Sequence, residues 1–189
     1  MGRRDELAEA GVRLLARDGI RALTHRAVDV EAGLPAGSTT YYARTRRELT
    51  GLVVAHITEQ LASDLRELSI PASLEDATAV QIASAFLDEI ARREDAQAAR
   101  FALLFELRGD DELRGPLTAA DPVRFALIDT ARAILDAIGV ADLQEAAVDM
   151  VGLIDALLLY RTAGAGPVDP TRVLTAYLTG LRRVGSPPA

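Results

Sequence analysis

The 189-residue sequence contains no cysteine, and all 21 of its basic residues are arginine, so lysine is absent as well. The lack of cysteine excludes disulfides and cysteine metal sites, and it fits a reducing compartment. The missing lysine, together with abundant alanine, reads as a coding bias. Only two histidines occur, His25 and His56, and neither stands in a Glu-x-x-His pair. A His-based catalytic triad or a di-metal carboxylate site therefore finds no support. There is no glycine-rich phosphate loop and no Gly-x-Ser-x-Gly elbow. No catalytic residue, metal site or cofactor is assigned, and the chain is not expected to be an enzyme. The opening MGRRDELAEAG has no apolar signal-peptide core, and no run of eighteen apolar residues follows. The expectation is a soluble cytoplasmic protein with no membrane partner.

Aromatic residues make up 4% of the chain, against 49% hydrophobic and 26% charged overall. Alanine and leucine favour helices packed through aliphatic side chains over sheets. The net charge of −7 is unevenly spread. Residues 1–50 hold nine arginines and seven acids, a sum of +2, and the remainder holds 12 and 21, a sum of −9. A basic end on an acidic body suits docking on nucleic acid by that end. A chance fluctuation among solvated faces would give the same numbers.

Periodicity predicts an all-α fold of about nine helices, on the same start and stop signals. The first covers residues 4–17 on Leu7, Gly11, Leu14 and Leu15, and Gly19 ends it. Thr24 caps a short helix over residues 25–32. Another short stretch covers residues 36–42. Thr45 to Glu48 forms a capping box that opens a helix reaching to about residue 68. Further helices follow over 74–93 and 95–108, then an irregular stretch over 110–120. Asp121-Pro122 starts the next helix. The segment 141–162 is apolar almost all round and is expected to be buried on several sides. Asp169-Pro170 starts the last helix, and residues 185–189 form a disordered tail.

Two short helices with a Gly-containing turn between them, behind a longer first helix, match a helix-turn-helix. The second reads Gly37-Ser38-Thr39-Thr40-Tyr41-Tyr42, a poor helix by propensity and too polar for a core. Hydroxyls and phenols can donate to phosphates and base edges, and a glycine lets backbone N–H groups come close. A polar interhelix loop is the competing reading.

Residues 5–53 resemble the DNA-binding domain of the tetracycline-repressor family of bacterial regulators. The stretch Leu23-Thr24-His25-Arg26-Ala27-Val28-Asp29-Val30-Glu31-Ala32-Gly33-Leu34-Pro35 resembles the brace helix and turn. Gly37 to Tyr42 resembles the recognition helix, and Thr45-Arg46-Arg47-Glu48-Leu49 the entry to helix four. Ala43 departs from the family's usual phenylalanine, so a partly unfilled local core or some compensation is expected. The resemblance implies phosphate contacts by Thr24 and Arg26, and a Gly37 N–H offered to phosphate. It implies base-edge contacts by Ser38, Thr39 and Thr40, backbone contacts by Tyr41 or Tyr42, and a phosphate clamp at Arg46. His25 is given a minor phosphate role, and Arg44 and Arg47 are read as solvated charges.

The same resemblance implies a DNA-binding domain over residues 1–48 and a helical effector-binding and dimerisation domain over 49–189. It implies a repressor that binds a palindromic, double-stranded operator as a homodimer and is released by a small-molecule effector. Two apolar helices, 141–162 and 172–183, suit a four-helix dimer interface, or equally a monomer core. His56, Phe86, Phe101, Phe105 and Tyr160 are candidates to touch the effector, with plain packing as the alternative for each. Arg100, Glu106, Arg108 and Asp155 are polar residues on largely apolar helices. An activator and a protein-interaction module are the alternative functions.

Overall fold

A computed structural model describes residues 2–118 and 122–184. Among them are ten α-helices and no strand, and nine of the helices have five residues or more. The fold is all-α. Asp121 and residues 185–189, for which a cap and a disordered tail were expected, lie outside the described residues.

The packing divides into two units, residues through Ser63 with Arg93–Arg124, and Asp64–Arg92 with Phe125 onward. The functional division expected at residue 48 concerns what each part binds, and it is a separate matter from this partition.

In the first unit, α1 (Arg3–Asp18) packs on α2 (His25–Glu31) and on α6 (Glu94–Glu106). A 3-10 turn, Ile20–Ala22, links α1 to α2. The apolar stripe of α1 supplies Leu7, Val12 and Leu15, which join Leu23, Val28, Leu49, Val53 and Leu103 in one buried cluster. Gly11 lets α1 approach α4 (Arg46–Glu67) closely, because a Cβ there would stand 2.6 Å from Val53 Cγ2. Arg13 Nε donates to Glu31 at 2.9 Å and Arg17 to the same carboxylate at 3.2 Å, tying α1 to the end of α2. These bonds, that of Arg13 foremost, hold the Glu31 carboxyl below its ordinary range.

The stretch expected to be irregular contains a four-residue helix, α7 (Asp111–Arg114), and a 3-10 turn, Gly115–Leu117. Four residues show no apolar period, so the sequence pattern missed this helix. Asp110 caps it by accepting from Leu113 N–H at 3.1 Å. Arg47, read above as a solvated charge, is exposed but ion-paired. Its guanidinium is bound by Asp110 and also donates to Glu112 at 2.8 Å.

In the second unit, α5 (Asp76–Ala91) packs against α9 (Leu143–Thr162) and α10 (Pro170–Val184). α8 (Pro122–Ala137) adds Leu127, Ala131, Ile134 and Leu135 to the buried set. Tyr177 Oη donates to the Ala146 carbonyl at 2.8 Å, fastening α10 to α9. Burial foremost, then the charge of Asp149, pushes the Tyr177 phenol up from its ordinary value. Within the chain α9 is not buried on several sides. It buries Ala147, Met150, Val151, Ile154 and Leu158 and leaves Val148, Gly152, Ala156, Leu159 and Tyr160 exposed. No helix among the described residues is long and apolar enough to cross a membrane.

Candidate nucleic-acid interface

α2 begins at Thr24, whose extended backbone and hydroxyl cap the helix by accepting from Ala27 N–H at 3.2 Å. His25 and Asp29 stand one turn apart on α2, so their side chains share a face. The chain then turns and enters α3 (Ser38–Tyr42) through Gly37, at φ 94°. That left-handed conformation is open to glycine and costly for other residues. Asp29, 3% exposed, receives the start of α3: Gly37 N–H and Thr39 N–H at 2.7 Å, and Thr39 Oγ1 at 2.5 Å. At the other end, His25 Nε2 lies 2.8 Å from the Ala43 carbonyl. A carbonyl only accepts, so Nε2 carries the proton. Burial works against the charged form of Asp29, but the bonds from Thr39 and Gly37 outweigh it and hold the carboxyl below its ordinary range.

These contacts correct two of the residue roles expected above. Thr39 has no exposed surface, and its hydroxyl is committed to Asp29, so it does not face base edges. The Gly37 N–H is likewise committed to Asp29 and is not held out for phosphate. A buried carboxylate needs these donors, and they would be costly to withdraw. Ser38 is half-buried, with its hydroxyl donating to the Pro35 carbonyl at 2.7 Å. Thr40, Tyr41 and Tyr42 are exposed, Tyr41 to 82%, and the two phenol rings meet edge to face at 5.0 Å. Thr24, Arg26, Arg44 and Arg46 are exposed. Arg46 Nη2 donates to the Ile20 carbonyl at 2.7 Å, which engages one of the five guanidinium donors. Ala43 is 1% exposed in the core, and its carbonyl lies against the His25 imidazole. The capping box at the start of α4 is shifted by one residue. Thr45 accepts from Glu48 N–H at 3.1 Å, but the Glu48 carboxylate receives Arg44 N–H, not Thr45 N–H.

The expected effector residues do not form one group. The second unit holds an apolar cavity of about 20 Å³, lined by Ile82, Phe86, Leu127, Ile134 and Met150, with Thr130 as its one polar side chain. Of the five candidates, only Phe86 lines it. Tyr160 borders an open depression with Gly166 and Val168. His56 belongs to the first unit, where its Nε2 is 2.8 Å from Glu9 Oε2 and 3.1 Å from Gln60 Nε2. One ring nitrogen cannot both donate to the Glu9 carboxylate and accept from the Gln60 amide, and Gln60 Oε1 is buried without a hydrogen-bond partner. Phe101 is buried in the same unit under the Arg100 guanidinium, 4.9 Å from the ring centroid, and Phe105 is 60% exposed.

The sequence model described as tetracyclin repressor-like, C-terminal domain, matches residues 74–184. That is more than half of the chain. It belongs to the tetracycline-repressor family.

Solved structures share the fold. A transcriptional regulator from Rhodococcus sp. Rha1 is 19% identical, with 97% of each chain covered and a TM-score of 0.73. A TetR family member from Streptomyces coelicolor A3 is 23% identical, covering 96% of this chain and 98% of its own, at 0.70. The multidrug binding protein EbrR complexed with ethidium is 24% identical, covering 95% and 98%, at 0.69. At these identities the likeness is one of fold. No curated protein sequence matches the chain. As a tetracycline-repressor family member it is a DNA-binding transcriptional regulator and not an enzyme.

Within this family member, sequence reasoning missed Asp29 and the role of His25. The signal was present as an i, i+4 pair on the helix before the turn. Nothing in the pattern, however, says that an acid in a charged helix will point inward at residues eight and ten positions on.

Proposed function

We propose that this regulator is a cytoplasmic repressor that binds a palindromic operator as a homodimer and releases it when a small-molecule effector binds. The observation that carries the reading is the α2–α3 pair, with Thr40 and Tyr41 exposed on the second helix and Arg26, Arg44 and Arg46 exposed around it. Arginines grip phosphates and set the register, while the short helix meets base edges in the major groove. A dimer would set two such helices about 34–36 Å apart, one DNA turn. The uncovered apolar face of α9 supports that dimer, since Val148, Ala156 and Leu159 need a partner to leave water. Residues 1–48 would then serve DNA, and residues 49–189 the effector and the partner subunit. α4 starts at the helix-turn-helix and continues unbroken to Glu67, which makes it the element an effector would shift. EbrR, of the same fold, is a multidrug binding protein seen with ethidium and with proflavin. The cavity at Phe86 is the size of one water, so an effector there would have to part the helices.

The test is a fluorescence anisotropy titration against DNA flanking the protein's own gene and against a scrambled duplex, at several salt concentrations. The expected result is preference for one duplex, a steep loss of affinity with salt, and release by some member of a compound library. Equal affinity for every duplex overturns the reading.

A further inference from the structure

α3 is only five residues long, and its β-branched threonines and tyrosines favour helix weakly. Helices this short do not hold themselves, so the reading element depends on what grips it from outside. Two side chains of α2 reach its two ends. The Asp29 carboxylate takes the N-terminal amides and the Thr39 hydroxyl, and the His25 N–H takes the carbonyl of Ala43 just past the C-terminus. Each group has the polarity that its end of a helix leaves unsatisfied: an acceptor for amides at the start, a donor for carbonyls at the finish.

We propose that His25 and Asp29 are positioning residues for operator recognition, a two-ended clamp that keeps α3 folded with Thr40 and Tyr41 outward. The inference rests on the DNA-reading role proposed above and deepens it. In this arrangement Asp29 never meets DNA: it is buried, and a carboxylate held against phosphate would be repelled. His25 Nε2 is likewise committed, because its proton is given to the Ala43 carbonyl. The clamp thereby fixes the reading set by subtraction. Thr39 is drawn inward, and base contacts fall to Thr40 and Tyr41, with Ser38 half-buried at the edge.

Loosening either end lowers the fraction of chains whose α3 can read, and apparent operator affinity falls with that fraction. Binding to arbitrary DNA is carried by arginine charge and changes little. The clamp thus has a signature that general destabilisation lacks: loss of preference without equal loss of affinity for every duplex.

The test uses the full-length chain and an operator selected from a random DNA pool. Anisotropy compares wild type, Asp29→Ala, His25→Ala and His25→Gln on the operator and on a scrambled duplex, and amide exchange is followed at Thr39 and Ala43. Each alanine variant should lose roughly tenfold or more of the operator preference, as expected for hydrogen bonds to charged or buried groups. Affinity for the scrambled duplex should stay within about twofold. Thr39 N–H should exchange faster in Asp29→Ala. His25→Gln keeps an N–H that can reach the carbonyl, and it should recover most of the preference. Wild-type preference in both alanine variants, or equal weakening on both duplexes, overturns the clamp. If Asp29→Ala does not fold, the half-exposed His25 pair decides alone. A wild-type chain with no preference for any duplex overturns the DNA-reading role itself and the clamp's purpose with it. Preference that survives in the variants overturns only the clamp.

Discussion

At the scale of single residues, the helix-turn-helix depends on one backbone torsion and one buried carboxylate. Gly37 sits at φ 94° with no atom within 4 Å of where a Cβ would go. Gly37→Ala should therefore cost backbone strain alone, about 1–2 kcal/mol, read as a lower urea midpoint. The pH dependence follows from Asp29 and Glu31, both of whose carboxyls are held below their ordinary values. A carboxyl with a depressed folded-state pKa stabilises the fold above its unfolded value and loses that contribution as pH falls through the folded one. The urea midpoint should be level near neutral pH and decline below about pH 4, where free carboxyls begin to take up protons. Asp29→Asn should lower the midpoint at pH 7 and flatten the acid decline. A midpoint unchanged between pH 7 and 3 would show that neither carboxylate matters to stability.

At the scale of elements, α1 comes close to α4 at Gly11. A methyl at Gly11 would press on Val53 Cγ2 at 2.6 Å and Leu23 Cδ1 at 3.3 Å. Alanine is the better helix former by about 1 kcal/mol, but overpacking a branched core side chain costs about 1–3 kcal/mol. Gly11→Ala should therefore lower the melting temperature; a rise would mean that α4 yields freely. The long helices were legible in the sequence because each has an apolar stripe against a core, as Leu7, Leu14 and Leu15 do in α1. α3 was legible for the opposite reason, being too polar and too poor a helix for an ordinary core element. α7 was not legible: it is held by the Asp110 cap and by an Arg47 ion pair that joins positions 63 and 65 residues apart. Thr39 was misplaced because its neighbours Ser38 and Thr40 have the same chemistry, and only the fold distinguishes the inward hydroxyl from the others. Four of the five effector candidates were aromatics on apolar helices, a criterion that fits Phe101 in one unit as well as Phe86 in the other.

At the scale of the whole molecule, the proposal of a dimer turns on the exposed stripe of α9. Ala156 lies on that stripe, and an arginine there would place a charge in any helix pairing built on it. Ala156→Arg should shift the sedimentation coefficient from dimer to monomer and leave helix content unchanged. Without the second reading head, operator affinity should fall by about a hundredfold or more. A dimer that survives the substitution would move the interface elsewhere. The charge is also uneven along the chain, +2 over residues 1–50 and −9 over the remainder.

The bond between Asp29 and Thr39 also constrains how this protein can change over generations. Losing the threonine hydroxyl alone leaves a buried carboxylate short of a donor, at a cost of about 1–3 kcal/mol. Once the acid is gone, the hydroxyl has nothing to give to, and its loss costs less than it does alone. Loss of the acid also strands the Gly37 and Thr39 amides, so of the two changes it is the more damaging one to come first. The two positions, ten apart in the chain, should pass through descent as a single character.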